Sequence, residues 1–86
     1  MEIVLSLKAQ KHIEYWKKTN NLIVQKRIIE LKDSILKEPF KGIGKPEPLK
    51  HNLKGKWSRR IDKENRFVYS IIDNSLLIFS LKGHYQ

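Results

Sequence analysis

The stretch WSRRIDKENRFVYSIIDNSLLIFSL, residues 57–81, decides the fold. Trp57, Ile61, Phe67, Tyr69, Ile71, Leu77, Phe79 and Leu81 fall in alternating positions, and turn-forming residues interrupt them at Lys63-Glu64-Asn65 and Asp73-Asn74-Ser75. Alternation of this kind is the mark of strands that bury one face, so the segment reads as a meander. Because side chains alternate across a strand, the length of each turn decides which residues share a face. A three-residue turn at 63–65, with Asn65 in the left-handed region, pairs Asp62 with Arg66, Ile61 with Phe67 and Arg60 with Val68. Trp57, Arg59, Ile61, Phe67, Tyr69 and Ile71 then share one face, and Arg60 and Arg66 share the other. A three-residue turn at 73–75 pairs Ile72 with Leu76 and sends Leu77, Phe79 and Leu81 to the core. Ile78, Ser80, Lys82 and, if the strand continues, His84 then look out beside Arg60 and Arg66.

Upstream the periodicity is helical. Residues 8–18 carry Ala9, Ile13 and Trp16 on one face, with Ser6 placed to cap the helix. Val24, Ile28, Leu31 and Ile35 recur at spacings of four, three and four, which makes residues 22–37 an amphipathic helix. Pro39 ends it by pushing its predecessor out of helical conformation. Gly42, Gly44, Pro46 and Pro48 exclude a helix and imply an ordered or semi-rigid loop over residues 40–48. A short apolar strand at residues 2–5 comes first. The plan is α+β: strand, two helices, then about four strands, with both helices on one face of a mainly antiparallel sheet. No repeat or domain boundary is visible, so residues 1–86 read as one domain.

Without cysteine the chain of 86 residues has neither a disulfide nor a thiolate metal site, and no pair of histidines has ligand spacing, so no cofactor is expected. The apolar runs are too short to cross a bilayer, and residues 1–6 lack the cationic start of an export signal; a cytoplasmic location is expected. Lysine and arginine total 18 against 9 acidic residues, a net charge of +9, the footprint of a nucleic-acid binder. Residues 41–66 hold 9 basic and 3 acidic side chains, so two thirds of the excess lies in that segment. Binding to a polyanion through it is expected to weaken steeply with salt. The same charge would serve a basic module that binds RNA without chemistry, or an acidic protein partner.

Cutting RNA without a metal needs a base for the ribose 2′-hydroxyl, cations for the phosphoryl oxygens and an acid for the leaving 5′-oxygen. Glu47, held extended between Pro46 and Pro48, is a candidate base, although an ion pair with Lys45 or Lys50 fits the same residues. Arg60 and Arg66 suit bidentate contact with phosphate. His84 is a candidate acid, since imidazole as a group exchanges protons near neutral pH, and Tyr85 offers a ring for stacking or a hydroxyl, unless both are simply a frayed end. His12 reads as a surface or boundary residue of the first helix. His51 can touch RNA or pack.

The run GKPEPLKHNL at residues 44–53, followed by Gly55, Trp57-Ser58-Arg59-Arg60-Ile61, Arg66, Val68-Tyr69 and the terminal His84-Tyr85, resembles the YoeB (Txe) toxin family. The likeness runs the length of the chain and includes Tyr15-Trp16 and Pro39-Phe40. It implies a RelE-like fold and the toxin of a type II toxin–antitoxin pair, one that cleaves messenger RNA in the ribosomal A site without a metal. It further implies Glu47 as general base, His84 as general acid and Arg66 as the residue that stabilises the transition state. Lys50, Arg60 and Tyr85 correspond to residues that hold the phosphate or nucleotide. The implied partners are the ribosome, a YefM (Axe) type antitoxin, operator DNA through the antitoxin complex, and in some cases a second toxin copy. A ParE-like gyrase poison shares the fold but would not need Glu47, Arg66 and His84.

Overall fold

The computed structural model describes residues 1–84; Tyr85 and Gln86 lie outside the described residues. Strand β1 (Glu2–Leu5) leads into helices α1 (Leu7–Lys18) and α2 (Leu22–Lys37), followed by strands β2 (Glu47–Pro48), β3 (Trp57–Arg60), β4 (Arg66–Ile72) and β5 (Ser75–Ser80). Helix α1 begins at the cap read from the sequence, the Ser6 hydroxyl accepting from Ala9 N–H, and at α2 the Asn21 side-chain oxygen accepts from Val24 N–H. Helix α2 stops at Glu38, whose φ of −140° is extended, immediately before Pro39.

The five strands run in the order β1-β5-β4-β3-β2. Only β1, at one edge, is parallel to its neighbour; the other pairs are antiparallel. Ala9 and Trp16 of α1 and Val24, Leu31 and Ile35 of α2 are buried against the inner face, as their spacing requires, with Ile13 and Ile28 packed beside them. Phe67 and Tyr69 on that face meet each other edge to face, their ring centres 5.8 Å apart. A short 3-10 turn, His51–Leu53, bends the chain between β2 and β3 over the outer face. Gly55 O there accepts from the Ser70 hydroxyl, which is why Ser58, Val68 and Ser70 are buried although they point away from the helices.

Both turns of the meander differ from the three-residue turns read from the sequence. Arg60, not Asp62, pairs with Arg66, and residues 61–65 form the loop. The Asp62 carboxylate organises it by accepting from the backbone N–H groups of Glu64 and Asn65, an Asx turn, and Asn65 is not among the residues with positive φ. This shift of register is even, so the faces stand: Arg59, Ile61, Phe67 and Tyr69 are inside, and Arg60 and Arg66 are outside.

The second turn is a two-residue hairpin, with Asp73 and Asn74 at φ 49° and 60°, the left-handed pair that suits the twist of an antiparallel ribbon. Ile72 therefore pairs with Ser75 and Ile71 with Leu76. The odd shift reverses the expected faces: Leu76 and Ile78 are core residues, not Leu77 and Phe79. A β-bulge then returns the strand to its expected phase. Tyr69 pairs with Ile78 but Val68 with Ser80, so Phe79 is the extra residue, and Leu81 is buried as read from the sequence.

Candidate active site

The outer face of the sheet carries the candidate residues. Residues directly opposite in antiparallel strands share a face, and the ladder sets Glu47 opposite Ser58, Ser58 opposite Val68, and Val68 opposite Ser80. Glu47 thus heads a row that crosses four strands. The next outward row on β3 and β4 is Arg60 opposite Arg66. Two like charges directly opposite repel unless an anion joins them. Among the described residues neither guanidinium forms an ion pair with a carboxylate. Arg66 Nη1 donates to the carbonyls of Asp62, Lys63 and Asn65, at 2.8 to 3.2 Å, so the loop that ends β3 anchors this side chain at the sheet's rim.

Glu47 lines a groove of about 350 Å³ with Lys50, His51, Asn52 and Leu53. His84 lines another, of about 380 Å³, with Lys8, Leu53, Lys56, Val68, Phe79 and Ser80. Leu53 lines both grooves, so they adjoin on the outer face, with Glu47 on one and His84 on the other. Lys50, exposed, precedes the 3-10 turn on the Glu47 wall. Tyr85 lies outside the described residues. Among the described residues no group of three or more His, Cys, Asp or Glu side chains is arranged to hold a metal ion.

Backbone pairing brings His84 to its wall after β5 ends. Arg66 N–H donates to Gly83 O at 3.0 Å, and Gly83 N–H donates to the Asn65 side-chain oxygen at 2.8 Å. Helix α1 clamps the residue two before it from the inside: Trp16 Nε1–H donates to Leu81 O, and Leu81 N–H donates to His12 Nδ1. Both backbone polar groups of Leu81 are thereby satisfied by side chains. His12, read from the sequence as a surface or boundary residue, is half-buried and serves as a structural acceptor. No periodicity signals that role, because it depends on the depth at which α1 crosses β5.

The clamp is sensitive to acid. Partial burial, and then the ammonium groups of Lys8 on its own helix and Lys82 beyond β5, hold the His12 pKa below its ordinary value. The folded state therefore binds fewer protons at this site than the unfolded chain. Its contribution is complete above about pH 6.5 and is lost as pH falls from there through the lowered value. The wild type is expected to lose more stability than His12→Asn between about pH 7.5 and 5, because asparagine keeps the acceptor but cannot titrate. Parallel urea midpoints across that range would refute the assignment.

Arg59 is a second residue whose role the sequence did not disclose. Its side chain is fully buried, and its five N–H donors reach Tyr69 Oη, Ser34 Oγ and the carbonyls of Ile43, Glu38 and Lys41, at 2.7 to 3.2 Å. Tyr69, its pKa raised by burial against the opposing effect of Arg59, keeps its proton and donates it to Pro39 O. Together they hold the loop from α2 to β2. The loop passes so close that a Cβ on Gly42 would collide with the Ser34 hydroxyl, and one on Gly44 would lie 2.7 Å from Leu31. Gly44 O then accepts from Arg60 N–H, three residues before Glu47. A signal was present: an arginine in the buried phase of an apolar strand calls for several acceptors.

Comparison with known proteins agrees with this architecture. Residues 5–85 match the family described as YoeB-like toxin of bacterial type II toxin-antitoxin system. Toxin YoeB of Escherichia coli K12 is 48% identical over 85 residues, 99% of this chain and 100% of that protein. Among solved structures, the YoeB/ParE toxin from Agrobacterium tumefaciens superposes with a TM-score of 0.95 at 37% identity, covering 99% of this chain and 100% of that one. A YoeB-YefM complex from Staphylococcus aureus gives 0.90 at 44% identity, covering 99% and 98%. A YoeB dimer from the same organism gives 0.90 at 43%, with the same coverage.

Proposed function

The chain belongs to the YoeB family of toxins from bacterial type II toxin–antitoxin systems, and from that premise we propose that it is a ribosome-dependent endoribonuclease that cuts messenger RNA in the A site. One observation carries the reading: Arg60 and Arg66 stand directly opposite each other on the outer sheet face, and Glu47 and His84 line adjoining grooves on it.

In this reading Glu47 accepts the proton of the 2′-hydroxyl as that oxygen attacks the adjacent phosphorus. Arg66, with Arg60 beside it, neutralises charge gathering on the non-bridging oxygens. His84 donates a proton to the 5′-oxygen as its bond to phosphorus breaks. One proton is taken and one returned, leaving a 2′,3′-cyclic phosphate and a 5′-hydroxyl. An in-line displacement needs its base and acid on opposite sides of the phosphate, so in this reading the phosphate lies between the Glu47 groove and the His84 groove. Lys50 and Tyr85 hold the nucleotide. Glu47 and His84 do the proton chemistry, and no step calls for a cofactor.

The partner proposed to silence this activity is a YefM-type antitoxin, supported by the Staphylococcus aureus complex and by exposed apolar surface. Ile29 is exposed on a groove it lines with Ile13, Trp16 and Ile28, and Leu22 and Ile23 are exposed on a second groove that shares Trp16, which suits a segment that folds as it binds. Operator DNA would be met only through that complex, and a toxin homodimer would resemble the Staphylococcus aureus dimer. Among the described residues no helix is long and apolar enough to cross a membrane, which fits action on ribosomes in the cytoplasm.

Adding the purified protein to a translating system and mapping 3′ ends by primer extension tests the proposal, beside a Glu47→Ala/His84→Ala variant. Cuts within A-site codons that vanish in the variant are expected. Equal cleavage by both proteins would remove the site assignment, and cleavage by neither would favour a gyrase poison or an RNA-binding module.

A further inference from the structure

The groove beside His84 contains groups that the chemistry just described does not use. Phe79, set outside the core by the two-residue turn and left unpaired at the bulge, stands half-exposed on the outer face beside Leu53 and Val68. The Lys56 ammonium lies 4.3 Å from the centre of its ring, which marks that ring face as open to a cation or a flat partner. Lys8 stands on the same groove, and among the described residues neither lysine forms an ion pair with a carboxylate. An apolar floor, one aromatic face and two ammonium groups are the elements of a subsite for a single-stranded nucleotide. The groove volume of about 380 Å³ falls within the range of small-ligand sites.

We propose that this groove binds the nucleotide on the 3′ side of the cut, its base stacked on Phe79 against Leu53 and its 3′ phosphate met by Lys56 and Lys8. The inference rests on His84 as the acid for the 5′-oxygen, because the nucleotide bearing that oxygen leaves the site past His84. Lys56 moves from the ring to the phosphate when the base takes its place, a motion its flexible stem permits. The occupant is a nucleotide and not an acidic peptide, because carboxylates would use the lysines but leave the phenyl face unfilled. Stacking accepts any base, so the groove adds affinity and position without choosing sequence.

The test uses the full chain and an RNA trinucleotide that carries a 3′-terminal phosphate and is cut-resistant because the 2′-oxygen 5′ to the last linkage is methylated, beside the same molecule with its 3′ nucleotide abasic. NMR titration is expected to shift the Phe79 ring resonances, with the complete trinucleotide binding about tenfold tighter than the abasic one. Phe79→Leu, which keeps the apolar volume, is expected to erase most of that difference. Lys56→Gln is expected to weaken both ligands about equally, as loss of a phosphate contact should. Equal binding of the two ligands by the wild type, no binding at millimolar concentration, or an undiminished difference in Phe79→Leu overturns the proposal. So does a glutamate-rich peptide that moves the Phe79 resonances when the trinucleotide does not. Binding here needs no cleavage, so failure of the nuclease reading would show separately, as intact RNA in the translating system.

Discussion

Replacing His84 by alanine is expected to slow cleavage of ribosome-bound RNA by about 10²- to 10⁴-fold, the range a positioned general acid supplies. The urea midpoint should stay near that of the wild type, because His84 is exposed and its neighbours are fixed by backbone bonds at Leu81 and Gly83. A slow variant alone would not distinguish an acid from a binding residue. A substrate whose bridging 5′-oxygen is replaced by sulfur does distinguish them, since a thiolate leaves without being protonated. His84→Ala should regain most of the lost rate on that substrate, while Arg66→Ala, which removes stabilisation of the phosphoryl oxygens, should not. An equally slow His84→Ala on both substrates would rule out the acid's role.

The second large effect is on the fold itself. Arg59→Leu is expected to destabilise the protein by about 3–5 kcal/mol, a large share of the roughly 5–15 kcal/mol that holds a domain of this kind together. Leucine occupies the space of the side-chain stem but strands the carbonyls of Glu38, Lys41 and Ile43 and the Ser34 hydroxyl. Arg59→Lys should fall between the two, because one ammonium cannot span acceptors that five forked N–H groups now reach. Urea unfolding should show the Arg59→Leu midpoint lowered by roughly 1–5 M. A shift below about 0.5 M would mean that water replaces the guanidinium in this loop. The folded fraction of Arg59→Lys should also cleave less than the wild type, since the loop it steadies ends at Glu47.

The helices and the plan of the sheet were legible because they follow from local rules. Ser6 caps, Pro39 terminates, and Val24, Leu31 and Ile35 mark the buried stripe without reference to the rest of the chain. The shared face of Arg60 and Arg66 was legible for a related reason, since an error of two residues in register leaves alternation unchanged. The candidate set Glu47, Arg66, His84, Lys50, Arg60 and Tyr85 came from resemblance together with residue chemistry. What alternation did not reveal was the length of the second turn. Asp73-Asn74 closes a hairpin one residue shorter than expected, and the bulge at Phe79 removes the error before His84, two compensating irregularities that a period of two cannot detect.

By itself, then, the sequence determined the order of elements, the stripe each helix buries, the basic outer face and the residue types available for chemistry, because caps, prolines, periodicity and charge act over a few neighbouring residues. Only the tertiary structure decided that Arg59 anchors the loop before Glu47, that His12 and Trp16 clamp Leu81, and that Phe79 is turned out beside Lys56. Each of these joins groups separated by 10 to 69 positions in the chain or by a change of register. Their partners are chosen by which buried donors and acceptors the packed helices and sheet bring within reach, a condition that exists only once the chain has closed on itself.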